Sequence, residues 1–198
     1  MKLYLARHGQ TEWNRLGYYS GQLDEPMNET GRRQIEALAR RWQEDVDQIW
    51  SSPLSRAVQT AEILRGDRDA SVPLLLEPLL LESDFGSWAG KSWTQIAEED
   101  PVGWAAYCSD WKAGIPGGGE SFRQMLARAS RLAGRLGQIP AEQRILLTAH
   151  EGILKALLLV LLDLPEDAFW RLALRQGAVT TLEGAGEPVY WVLQGLNG

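Results

Sequence analysis

Two short apolar segments of this chain, residues 2–6 and 144–149, each run into a polar turn that holds one of its only two histidines. K-L-Y-L-A leads into Arg7-His8-Gly9, and R-I-L-L-T-A leads into His150-Glu151-Gly152. Segments this short, the first apolar at both its Leu positions and the second carrying Ile145-Leu146-Leu147, suit buried strands of a sheet. After the second comes a strongly apolar helix over 151–162. Between them, residues 30–44 place Ile35, Leu38, Ala39 and Trp42 at helical spacing, and 121–136 do the same with Phe122, Met125, Leu126, Ala129, Leu132, Ala133 and Leu136. Further strands are expected at 46–50, 178–183 and 189–194, the last two flanking a Gly184-Ala185-Gly186 turn. Residues 73–81 read as extended and 9–27 as loop. Strands alternating with helices imply an α/β fold, a three-layer α/β/α sandwich with a mostly parallel central sheet.

Open α/β sheets bind ligands beyond the carboxyl ends of their strands. If the first and the 144–149 strands are neighbours, both imidazoles converge at one sheet edge. A third piece, Ser51-Ser52-Pro53-Leu54-Ser55-Arg56, also follows a strand and opens a helix to about residue 64. It puts Arg56 in a first turn, where free N–H groups and the helix dipole favour anions. A fourth is Leu81-Glu82-Ser83-Asp84-Phe85-Gly86. A carboxyl there, among apolar and aromatic neighbours, could serve as a general acid, and Asp84 is the alternative on composition alone.

The charge balance narrows the chemistry. The formal net charge is −6 over 198 residues, which argues against nucleic acid and anionic membranes as partners. Of the 20 Lys and Arg, 16 are Arg, the better fork for phosphate or carboxylate. The longest apolar run, 156–162, is far below the roughly 20 residues that span a bilayer. One cysteine, Cys108, permits no intramolecular disulfide and suits a reducing compartment. The first eight residues meet charge too early for a secretory leader, so the expected location is the cytoplasm. No His/Cys cluster suggests a metal site, and no cofactor is expected. Gly86-Ser87-Trp88-Ala89-Gly90-Lys91-Ser92 is one residue short of a nucleotide P-loop. Pro116-Gly117-Gly118-Gly119-Glu120-Ser121 shapes a loop, with Glu120 or Ser121 near the cap of the next helix.

Taken in order, L-A-R-H-G-Q-T-E-W-N at 5–14, Y-S-G at 19–21, S-S-P-L-S-R-A-V-Q-T-A at 51–61, L-E-S-D-F-G-S-W at 81–88, P-G-G-G-E-S at 116–121 and A-H-E-G at 149–152 resemble the histidine phosphatase superfamily, with its phosphoglycerate mutase-like fold. The resemblance covers nearly the whole chain and implies one domain over 1–198, with a small helical cap insert near 88–116. It implies His8 as a nucleophile that becomes phosphohistidine and Glu82 as proton donor. It implies Arg7, Arg56 and His150 as the phosphoryl pocket, with Asn14, Ser20 and Gly21 completing the substrate contacts. The expected partner is a small-molecule phosphate ester, and a homodimer is left open. Within the superfamily, 104–116 and 168–177 are similar to bacterial α-ribazole-5′-phosphate phosphatases of cobalamin assembly. An aromatic-rich cap would suit a flat benzimidazole-type base, or its tryptophans would simply pack the cap. The alternatives are a phosphoglycerate mutase, a broad small-molecule phosphatase of the same superfamily, or a non-catalytic phospho-ligand binder. Glu151 departs from the family's usual Gly and is expected to point away from the phosphate or to cap the following helix. Ala89 replaces a usual Glu.

Overall fold

A computed structural model describes residues 1–66, 71–186 and 190–198. Six strands, β1 (Lys2–Arg7), β2 (Gln48–Ser51), β3 (Leu74–Leu76), β4 (Arg144–Ala149), β5 (Val179–Ala185) and β6 (Tyr190–Gly195), form one sheet in the order β3-β2-β4-β1-β5-β6. β3, β2, β4 and β1 are parallel, and β5 and β6 add an antiparallel edge. The helices are α1 (Glu12–Leu16), α2 (Glu29–Arg41), α3 (Ser55–Arg65), α4 (Trp93–Glu99), α5 (Pro101–Ser109), α6 (Phe122–Leu136) and α7 (Glu151–Leu161).

The strand period of two divides the core between the faces of the sheet. Leu3, Leu5, Ile145 and Leu147 pack with α6 and α7, joined by Leu132, Leu154 and Leu158. Tyr4, Ala6, Ile49 and Leu146 pack with Ile35 and Leu38 of α2 and with Ala61 and Leu64 of α3. The sheet is covered on both sides, so its central strands are apolar throughout rather than alternating. This is the three-layer arrangement expected from the sequence.

Three local readings are corrected. Residues 9–27 are not all loop, because Thr11 and Asn14 form a reciprocal capping box that starts α1, and Gly17 at φ 74° ends it one turn later. Residues 73–81 are extended only in β3. Glu77 makes the last main-chain bond to the sheet, to the Ser51 carbonyl, and Pro78, with no N–H to donate, opens a 3₁₀ turn over Pro78–Leu80. β5 continues through Ala185, which pairs with Tyr190, so Gly184 and Ala185 of the expected turn belong to the strand. The expected strand start at residue 189 lies outside the described residues. Among the described residues, no helix is long and apolar enough to cross a membrane.

α4 and α5 form a small helical layer beside the sheet. Trp88 is its pin: buried, with Nε1 donating to Asp100 and its ring against Trp104 and Tyr107. Lys91 is paired with Glu99, and the P-loop-like stretch is a 3₁₀ turn, Gly86–Trp88, followed by the N-cap of α4. The glycines at 117 and 119 serve close packing. A Cβ on Gly86 would lie 2.2 Å from the Gly117 carbonyl oxygen, and one on Gly119 would lie 2.1 Å from that of Asp84. The Glu120 N–H then donates to the Asp84 carbonyl at 2.7 Å, and Ser121 caps α6.

Candidate active site

Because β1 and β4 are parallel neighbours in register from Lys2↔Arg144 to Arg7↔Ala149, the residues that follow them emerge side by side. The His8 N–H continues the pairing onto the Ala149 carbonyl at 2.9 Å. The His8 and His150 rings lie 5.1 Å apart between centroids. His8 Nδ1 is 2.7 Å from the Gly9 carbonyl, an obligate acceptor, so this nitrogen carries the proton and Nε2 keeps its lone pair. Burial, then the guanidinium groups of Arg56 and Arg7, lower the His8 pKa from 6.5 to about 3, against the opposing Gly9 carbonyl. A neutral imidazole with a free Nε2 has the electronic state of a nucleophile.

Arg56, in the first turn of α3 as expected, is buried and held by three main contacts. Nε donates to His150 Nδ1 at 3.2 Å, Nη1 to the Leu23 carbonyl at 2.8 Å and Nη2 to the Gly21 carbonyl at 2.7 Å. Two of its five N–H bonds stay uncommitted by these contacts. The α3 N-terminus itself is not a vacant anion site, because Asp24 accepts from the Ser55 N–H and hydroxyl, both at 2.7 Å. His150 is fully buried, with Nε2 2.8 Å from Ser52 Oγ and Nδ1 taken by Arg56. Burial first, then His8 and three arginines, push its pKa well below 6.5. It stands beneath the cavity as a neutral support for Arg56. Ser52 is the partner that sequence reasoning did not single out.

Arg7 donates from Nη1 to the Leu174 carbonyl and pairs with Glu151. Its Nε, and the hydroxyl of Ser20, are buried with no partner, and both residues line the cavity. Orphaned buried polar atoms are rare in folded proteins. Asn14 Oδ1 accepts from Thr11 N and Gln176 Nε2, leaving its amide N–H groups for the cavity it lines.

Glu82 reaches the same cavity, and Asp84 does not: Asp84 Oδ1 closes a turn on the Gly86 N–H at 2.8 Å. The Glu82 carboxyl is set by main-chain donors rather than by the apolar and aromatic enclosure expected from sequence. It accepts from Ser83 N at 2.9 Å, Gly152 N at 3.1 Å and Ile153 N at 3.2 Å, the last two being the open start of α7. A Cβ on Gly152 would lie 2.5 Å from Glu82 Oε1. The segment before it is gripped by Arg128 of α6. Nη1 binds the carbonyls of Leu79 and Leu81, and Nη2 that of Glu82 at 3.3 Å. Glu120 holds the same guanidinium bidentately at 3.0 and 2.6 Å. Neither residue was singled out from sequence as part of the site.

These residues open onto a cavity of about 390 Å³. Tyr18, Tyr19, Phe85 and Tyr107 form one wall, and Trp111, Phe122, Phe169 and Trp170 another. Trp111 and Phe169 each touch the other three rings of the second wall, with the Trp111 and Phe122 centroids 4.5 Å apart. The tryptophans therefore divide: Trp88 and Trp104 pack against each other at α5, Trp93 is exposed, and Trp111 and Trp170 face the cavity. Glu151 does not point away. It sits at the start of α7, lines the cavity, and joins Arg7 to Lys155.

A neutral buried imidazole flanked by two guanidinium groups and a carboxyl, at the carboxyl ends of parallel strands, is an arrangement able to bind and transfer a phosphoryl group. The profile of the histidine phosphatase superfamily (branch 1) matches residues 3–197, and the chain belongs to that superfamily. It is 34% identical over 184 residues to the adenosylcobalamin/alpha-ribazole phosphatase of Salmonella typhimurium, covering 92% of this chain and 90% of the relative. The crystal structure of the alpha-ribazole phosphatase from Shigella flexneri superposes with a TM-score of 0.94 at 31% identity, covering all of this chain and 96% of that one. A metal-independent phosphoserine phosphatase of Arabidopsis thaliana is 34% identical over 162 residues, 80% of this chain and 67% of the relative.

Proposed function

We propose that the chain hydrolyses phosphate monoesters through a phosphohistidine on His8, with α-ribazole 5′-phosphate as its substrate in the cytoplasm. The observation that carries the mechanism is the neutral His8 ring beside Arg7 and Arg56. His8 Nε2 attacks phosphorus in line as the P–O ester bond breaks, and Glu82 serves as the acid that delivers a proton to the leaving alkoxide. Water then attacks the phosphohistidine, Glu82 takes up the water's proton, and the P–N bond breaks to release inorganic phosphate. Arg7 and Arg56 neutralise the charge on the equatorial oxygens, as phosphoryl transfer requires. The Asn14 amide, the Ser20 hydroxyl and the Gly21 main chain complete the cradle, and His150 acts through Arg56. The choice of ester is supported by the named relatives and by the wall of Trp111, Phe169 and Trp170 contributed in part by the 88–116 cap, which offers flat apolar surface to a fused aromatic base.

Phosphate release from α-ribazole 5′-phosphate, 3-phosphoglycerate and 4-nitrophenyl phosphate, each with chelator, tests this reading. The first should be turned over fastest, and rapid quench should trap an acid-labile, base-stable phosphoenzyme. Near wild-type turnover by His8→Ala would remove the nucleophile assignment. Faster isomerisation of 3-phosphoglycerate than hydrolysis of any ester would make the chain a mutase.

A further inference from the structure

One carboxylate inside the cavity has no part in the chemistry above. Glu151 engages both of its oxygens, one with the Arg7 guanidinium and the other with Lys155 Nζ at 2.7 Å, one turn along α7. Lys155 is 8% exposed, and its ammonium stands 5.3 Å over the Phe169 ring. A lysine so enclosed needs a partner, and the chain supplies its own. Arg7, Glu151 and Lys155 thus form a cation–anion–cation row from the phosphate end of the cavity to its aromatic wall. Arg7 Nη1 commits its two protons to Leu174 O and Glu151, which leaves the buried, unpartnered Nε for a phosphoryl oxygen.

Without Glu151, Arg7 and Lys155 would be two open cations at neighbouring positions, a good receptor for a substrate with a phosphate and a second anion. With Glu151 present, the ammonium is satisfied. A substrate carboxylate would have to displace Glu151 from it or lie against a like charge in a partly desolvated site, and both are unfavourable. We propose that Glu151 sets the charge selectivity of the leaving-group end of the cavity, which accepts neutral hydroxyl compounds and rejects those bearing their own carboxylate. The selection rests on the phosphatase reading above and adds a residue that discriminates by repulsion.

Glycerol 1-phosphate and 3-phosphoglycerate are a suitable pair, since both are small alkyl esters and one carries a carboxylate. The wild type should favour glycerol 1-phosphate in kcat/KM. Glu151→Gln, which keeps the size and removes the charge, should shift the ratio toward 3-phosphoglycerate by about tenfold or more, borne by KM. Glu151→Asp should keep the wild-type ratio. Adding Lys155→Met to Glu151→Gln should abolish the gain, because the released ammonium is what captures the carboxylate. A Glu151→Gln ratio within about twofold of wild type, or a gain that survives Lys155→Met, overturns the proposal. The same variants made on His8→Ala give the comparison as calorimetric affinities. A wild type silent toward every ester would then strike the phosphohistidine reading alone, while the affinity ratio still decides the role of Glu151.

Discussion

Between roughly pH 8 and pH 5 an ordinary histidine gains a proton, and here neither should. His8 is held near 3 and His150 well below 6.5, chiefly by burial. With two histidines in the chain, their ring resonances are directly readable by NMR and should stay at neutral-imidazole shifts across that window. The same shifts act on stability. Below pH 6.5 the unfolded chain binds protons that the native histidines refuse, so stability falls with pH from about 6.5 downward, and for His8 until about 3. Each histidine contributes a slope of up to about 1.4 kcal/mol per pH unit. Denaturant melts at pH 7 and pH 5 should show this loss, and coincident melts would contradict the burial argument. Arg56 makes a second residue-scale case. Its three directional donations to His150, Leu23 and Gly21 need the planar fork. Arg56→Lys keeps the charge but not the fork, and should lower kcat/KM by about 10²- to 10³-fold with little change in fold by circular dichroism.

The start of α7 is where one element does two jobs. Its first N–H groups, at Gly152 and Ile153, hold Glu82, while Glu151 turns to Arg7 and Lys155. Gly152→Ala should drive Glu82 out of place, since the added methyl would sit 2.5 Å from Oε1. Phosphoenzyme formation from an alkyl ester, which needs its leaving oxygen protonated, should slow by about 10²-fold or more in rapid quench, while formation from 4-nitrophenyl phosphate, with a good leaving group, should proceed nearly as before. Equal losses on both esters would deny Glu82 the role of acid. Elements of this length were the legible part of the sequence. α2 and α6 have apolar periods that only a helix satisfies, α7 is an apolar run longer than a strand needs, and β1 and β4 are short apolar runs that suit buried strands. α1 went unread because one turn carries no period. Its signal was the Thr11/Asn14 box with Gly17, a pattern of caps without a body.

At the scale of the molecule, the sheet order decides what could be foreseen. His8, Arg56, Glu82 and His150 follow strands or apolar turns, so their convergence was readable once β1 and β4 were taken as neighbours. The contact of Phe122 with Phe169 and the grip of Arg128 on the Leu79 carbonyl join segments far apart in the chain, 49 residues in the second case, and no local period encodes such contacts. The support of the site is correspondingly global. Leu147 of β4 lies wholly buried against the α6–α7 layer, and Leu147→Ala should cost about 2–5 kcal/mol in urea melts, with the unfolding still one transition. The acidic net charge of −6 coexists with a cavity floor of two arginines, so global and local charge are opposed. The contact of Gly86 with Gly117, main chain on main chain, has a consequence of another kind. It joins the residues just before α4 and α5 to those just after them, so the two ends of that helical segment are held together by main chain. The spacing of those ends is thus set by glycine main chain and not by the helices between them, so a residue gained or lost within α4 or α5 leaves the distance between the ends unchanged.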